Sequence, residues 1–179
     1  MNLSHLMRDY YEFVEPLDPF HMVNCNDGVS AKDEFYSVTS RHENWRNVML
    51  QRVMTQPDPY EPYLLSQGIR FGELLFISGQ AGYADNGKIV EGGFRAQGEK
   101  AFANLRRVLE AGGSSLKDVI KVTIFLTDMA NFKEVVDLRR RFFSAPFPAD
   151  TIVEVKALYT SEAMIEIEAI AAAPTAGRS

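Results

Sequence analysis

From about residue 63 to residue 174, apolar positions recur every two residues in some stretches and every three to four in others. Those are the periods of strands and helices. Gln67–Phe71 and Glu73–Ser78 read as short strands around Gly72, a hairpin. Asp85-Asn86-Gly87-Lys88 reads as a turn. Phe94–Ala111 predicts a helix with Ala101, Phe102, Leu105, Val108 and Leu109 in one stripe, capped by Gly112-Gly113. Val119–Thr127 predicts a strand with Ile120, Val122, Ile124 and Leu126 on one face and Lys121, Thr123 and Phe125 on the other. Asn131–Phe143 predicts a second helix with Phe132, Val135, Val136, Phe142 and Phe143 inward, stopped by Pro146 and Pro148.

The last patterned stretch, Phe147–Ala171, reads as two strands joined by a short polar turn, roughly Thr151–Leu158 and Ala163–Ala171. In the second, Ala163, Ile165, Ile167, Ala169 and Ala171 share a face, and Met164, Glu166, Glu168 and Ile170 share the other. Glu166 and Glu168 thus lie about 6–7 Å apart at the usual strand rise. The predicted order is β-β-α-β-α-β-β, an α+β domain whose helices cover one sheet face. The opposite face is read as Thr123, Phe125, Ile152, Glu154, Lys156, Met164, Glu166, Glu168 and Ile170. It is too apolar for solvent and too charged for a monomer core. A homo-oligomer interface enclosing polar pockets fits both properties.

Residues 1–53 show no sustained period, except that Trp45, Val48, Met49 and Val53 could form one face of a short helix over 41–53. This part is expected to be an extension, poorly ordered or docked through its aromatics, with Met54 as an alternative natural start. Prolines 57, 59 and 62 make 54–62 a stiff connector. The main domain is then 63–174, followed by a tail at 175–179.

Composition narrows the chemistry. Hydrophobic content of 46% and charged content of 24% are ordinary for a globular protein. No apolar run is long enough for a membrane span, and no secretory signal is seen, so a cytoplasmic protein is expected. The single cysteine, Cys25, cannot form an internal disulfide. All three histidines, Cys25 and Trp45 precede residue 46, so the main domain cannot build Ser-His-Asp, Cys-His or His–metal chemistry. His21, Cys25 and His42 match no ligand spacing, and no metal or cofactor is expected. A net charge of −5 argues against a bulk grip on nucleic acid. The only basic cluster, Arg139-Arg140-Arg141, reads as a solvated face.

Three segments carry a family resemblance: SQGIRFGELLFISGQ at Ser66–Gln80, AFANLRRVLEAGGSSLKDVIKVTIFLTDMANF at Ala101–Phe132, and FPADTIVEVKAL with IEIEAIA. Together they resemble the RidA (YjgF) family, the reactive intermediate/imine deaminase proteins. The resemblance implies a chorismate-mutase-like fold, assembled as a homotrimer with a small-molecule cleft at each subunit junction. It also implies cofactor-free hydrolysis of enamines and imines, such as 2-aminoacrylate/2-iminopropanoate, to a keto acid and ammonia.

The resemblance carries Glu166 over as the acid that positions or activates water, and Ser78 and Gly79 as cleft backbone. It also marks departures. Asp150 stands where the family has a carboxylate-clamping arginine, Val136 replaces an asparagine, Arg139 a tyrosine and Ile152 a cysteine. The pocket tyrosine aligns with Leu65, with Tyr63 nearby in a shifted register. A substrate carboxylate touching Asp150 would cost about 4 kcal/mol at an effective dielectric near 20. The expected substrate is therefore an enamine or imine other than 2-iminopropanoate, with non-catalytic binding of a metabolite or partner as the alternative. Asp150 pairs with Arg139 or Arg140, binds a cationic or amine-bearing ligand, or faces solvent. Some family members are described as endoribonucleases. The absence of histidine in the domain and its negative charge argue against that activity here.

Overall fold

The computed structural model describes residues 50–174. The expectations for 41–49, for His21, Cys25 and His42, and for the tail at 175–179 lie outside them. Among the described residues, eight regular elements follow in the order β1 (Leu50–Val53), β2 (Gly68–Phe71), β3 (Leu74–Ala81), α1 (Gly93–Ala111), β4 (Val119–Leu126), α2 (Phe132–Phe142), β5 (Ala149–Glu154) and β6 (Ile165–Ala172). The strands form one mixed sheet in the order β1-β2-β3-β6-β4-β5.

The helices cover one face of that sheet because the apolar stripes match. From α1, Phe94, Ala101, Phe102, Leu105, Val108 and Leu109 are buried against Leu75, Ile77, Val122, Ile124, Ile165 and Ile167. Burying a side chain of this size is worth about 1.5–3 kcal/mol. Gly98 lets the helices approach, since a methyl there would meet the Leu138 side chain. Phe102 stacks on Phe142 at 4.8 Å and meets Phe143 edge-on at 5.5 Å. At the end of α1 the chain reverses through Gly113 (φ +72°), with Ser114 N–H donating to the Leu109 carbonyl at 2.9 Å. The β2–β3 hairpin turns at Gly72 (φ 60°).

Several sequence expectations are corrected. The end of the predicted 41–53 helix is a strand: Leu50–Val53 pairs with Phe71–Gly68, so the sheet takes in residues from before the proline connector. The last two strands do not form a hairpin. β6 lies between β3 and β4, whereas β5 runs parallel to β4 at the sheet edge. The inner side of β6 is apolar throughout (Ile165, Ile167, Ala169 and Ala171), which fits its place inside the sheet. Ile120 is 49% exposed, because an irregularity between Val119 and Lys121 leaves it without a partner on β6 and turns Val119 inward. In α2, Leu138 is fully buried and Phe132 faces outward. The parallel register matches Ile152 with Ile124 and Glu154 with Leu126, which puts both on the helix side. There Ile152 packs on the core, and Glu154 accepts the Met129 N–H at 2.7 Å. The open face of β5 carries Thr151 and Val153 instead.

Candidate functional site

The site begins with a bulge. Ile77 pairs with Ala169 and Gln80 with Ile167, so Ser78 and Gly79 together oppose the single residue Glu168. Bulges of this kind re-aim side chains and backbone groups. Here the Glu166 carboxylate lies directly over the Gly79 Cα, where any Cβ would collide with it. Glycine suits position 79 because of this close approach and not because of its backbone angles; an added Cβ would displace the Glu166 side chain.

Glu166 is half-buried on the sheet face away from the helices. Burial pushes its pKa above the usual carboxylate range, and the neighbouring Glu168 charge adds to the rise. Among the described residues no hydrogen bond holds its charged form. Glu168 itself is exposed on the same face.

Three tyrosines lie near the bulge. The Tyr60 hydroxyl, from the proline connector, donates to the Gly79 carbonyl and so pins the connector to the bulge. Its ring stands 6.1 Å from that of Tyr83. The Tyr83 hydroxyl donates to Gln80 Oε1 at 2.6 Å, and Gln80 Nε2 donates to the Ser78 carbonyl at 2.9 Å. Burial raises the pKa of Tyr60, with Tyr83 and then Glu166 contributing further. Tyr159, on the connection into β6, is 61% exposed, so only part of its ring is desolvated; that partial burial and then the Tyr83 and Glu166 charges act to raise its pKa. All three phenols therefore stay protonated at neutral pH, and Tyr60 and Tyr83 act as hydrogen-bond donors.

Tyr63 is 72% exposed and Leu65 is also exposed in the single chain. The residue at the bulge that the sequence did not single out is Tyr60. The only signal in the sequence was its place among three prolines, which hold the connector extended. Ser78 is exposed, and its hydroxyl donates to the Ser66 carbonyl at 2.8 Å. With Ile69, Phe76, Lys121, Thr123 and Glu168, it lines an open depression of about 430 Å³ on the uncovered sheet face.

Asp150 and Arg139 form a second, separate cluster. Asp150 pairs in register with the buried Val122, so its side chain is on the helix side of β5. There Arg139 Nε lies 2.6 Å from Asp150 Oδ2, one of the two ion pairs the sequence left open. Glu166 pairs in register with Phe125 on the opposite face. One copy of the chain therefore does not bring Glu166 and Asp150 together. The other two arginines of the cluster are also paired: Arg140 with Asp137 at 3.0 Å and Arg141 with Glu99 at 2.5 Å.

Fold and site define an α+β protein with a desolvated acid on a glycine bulge and no helix long and apolar enough to cross a membrane among the described residues. Comparison with known proteins makes the class specific. Residues 53–173 match the family model described as Endoribonuclease L-PSP. The chain is 37% identical over 115 residues to a 2-iminobutanoate/2-iminopropanoate deaminase of Dermatophagoides farinae, covering 64% of this chain and 88% of that one. The human protein of the same name is 32% identical over 127 residues, covering 69% and 90%. A crystal structure of RidA from the Antarctic bacterium Psychrobacter sp. PAMC 21119 superposes with a TM-score of 0.64 at 35% identity, covering 68% of this chain and 98% of that one. The chain belongs to the RidA (YjgF) family.

Proposed function

We propose that this protein is a cytoplasmic homotrimer that hydrolyses an enamine or imine other than 2-iminopropanoate, without a cofactor, in a cleft at each subunit junction. The observation that carries the reading is the Glu166 carboxyl. It is held over Gly79, raised in pKa by burial, and takes no hydrogen bond among the described residues. Such a group is suited to proton transfer. It orients a water for attack on the C=N carbon, accepts the water's proton and passes it to the nitrogen, which gives the neutral carbinolamine. Glu166 then takes the hydroxyl proton and returns it to the nitrogen, so that the C–N bond breaks, ammonia leaves and the carbonyl forms. Ser78 and Gly79 supply cleft backbone beside the acid.

The separation of the two clusters supports a junction site. Glu166 with Tyr60 and Asp150 with Arg139 point to opposite faces of one sheet, so a second copy is needed to set one cluster against the other. Named relatives act on 2-imino acids. Here the position expected to clamp a carboxylate is itself a carboxylate, already paired with Arg139. That pairing favours a different substrate within the same chemistry. It equally supports a second reading, a non-catalytic member that binds a metabolite or a partner. A ribonuclease reading has less support, because each arginine of the basic cluster faces its own acid.

The test is release of ammonia and carbonyl product from imines generated in situ, with and without a carboxylate on the α-carbon. Carboxylate-free imines should turn over above the buffer rate, and Glu166→Gln should remove that activity while the protein stays folded. Rapid turnover of 2-iminopropanoate would sink the substrate assignment. No turnover of any imine would leave the binding reading in its place.

A further inference from the structure

On the helix side of the edge strand, Arg139 and Asp150 form a neutral pair with unused hydrogen-bonding capacity. Nε lies 2.6 Å from Oδ2, yet its N–H is not directed at that oxygen, so the contact is an ion pair without an aligned hydrogen bond. The guanidinium carbon stands 6.0 Å from the Phe132 ring centroid, which holds the side chain from a second direction. Both side chains are mostly buried, at 22% and 20% exposure. Among the described residues, Nε is the one atom of the pair that is buried without a hydrogen-bond partner; the exposed fifth of each side chain is where a ligand can reach the pair. The arginine is pre-organised, so little rotamer freedom remains to be lost on binding.

The signs of the pair restrict what can bind it. A simple anion would be attracted by Arg139 and repelled by Asp150 at similar distances, and the two effects nearly cancel. A simple cation meets the reverse problem. A zwitterion satisfies both charges but loses the hydration of two full ions. A neutral planar group with a carbonyl beside an N–H satisfies both at a much smaller desolvation cost. Its oxygen accepts from the Arg139 Nη groups, and its N–H donates to Asp150.

We propose that the Arg139–Asp150 pair is a carboxamide receptor, so that the ligand of the cleft carries an amide group where a 2-imino acid carries its carboxylate. This deepens the cleft reading and rests on it.

The test titrates the full-length chain with butanamide, butanoate and 2-aminobutanoate, following the Arg139 Nε–Hε resonance by NMR. Butanamide should perturb that resonance and saturate at a concentration at least tenfold lower than butanoate or 2-aminobutanoate. Asp150→Ala should invert the order, weakening butanamide and strengthening butanoate by about tenfold each. Butanoate binding as tightly as butanamide would overturn the proposal in favour of an anion site. Tightest binding of 2-aminobutanoate would do so in favour of a zwitterion site. No perturbation by any probe would leave the pair a structural latch only. The wild-type titration decides among these even if the variant fails to fold. Failure here is separable from failure of the hydrolysis reading, because binding at Arg139 is measured without turnover.

Discussion

The two clusters on this sheet handle charge in opposite ways. Around Gly79, Glu166 is desolvated, lies near another carboxylate and has no hydrogen bond among the described residues. At the sheet edge, Asp150 is neutralised at 2.6 Å by Arg139. The first cluster sits between two paired strands, where a bulge opens just enough room for a carboxyl group. The second joins an edge strand to a helix, where a long side chain can reach its partner. An unpaired acid in such a place costs stability and keeps a group ready for proton transfer. A paired acid gives up that reactivity and fixes a loop. The contrast is what supports the roles proposed above, proton transfer for Glu166 and ligand selection for the Arg139–Asp150 pair.

The sharpest way to break this contrast is at the pair. Arg139→Met strands a mostly buried carboxylate and should cost about 1–3 kcal/mol, between the values typical of exposed and fully buried pairs. The double variant Arg139→Met with Asp150→Leu should recover most of that loss in denaturant unfolding. If the single variant is neutral, Asp150 is solvated and the pair contributes nothing.

A smaller effect is expected at the bulge. Gly79→Ala forces the Glu166 side chain off its position, at a cost of about 1 kcal/mol for an unfavourable rotamer. Imine hydrolysis should fall at least tenfold with little change in melting temperature. Unchanged activity would mean that the contact with Gly79 does not position the acid.

The smallest effect is a pH dependence. Because the folded state raises the pKa of Glu166, the protonated form is the one that folding favours. Its contribution is present below the unfolded pKa and is lost as pH rises through the folded one. Glu166→Gln mimics the protonated form, so it should raise Tm at about pH 8 more than at about pH 4. An equal change at both pH values would mean that Glu166 is not raised.

Much of this was legible in the chain. The hairpin at Gly72, the stripe of α1 and the two faces of β6 follow from residues a few positions apart, as does the glycine cap after α1. The pairing of Asp150 with Arg139 was also readable, since a helical arginine beside an apolar face needs an acid and one follows after a short connection. Tyr60 was not readable as a site residue. Its contact with Gly79 spans 19 positions, and nothing in its own neighbourhood marks a tyrosine that reaches a distant carbonyl.

The sequence alone determined which residues of each element share a face, because the periods of helices and strands are local properties of the backbone. It also determined that the main domain contains no histidine or cysteine. Only the tertiary structure decided that β6 enters between β3 and β4, that β3 bulges at Ser78 and Gly79, and that Glu166 and Asp150 face opposite ways. Those outcomes depend on strand register, and register is set by competition among pairings that are far apart in the chain.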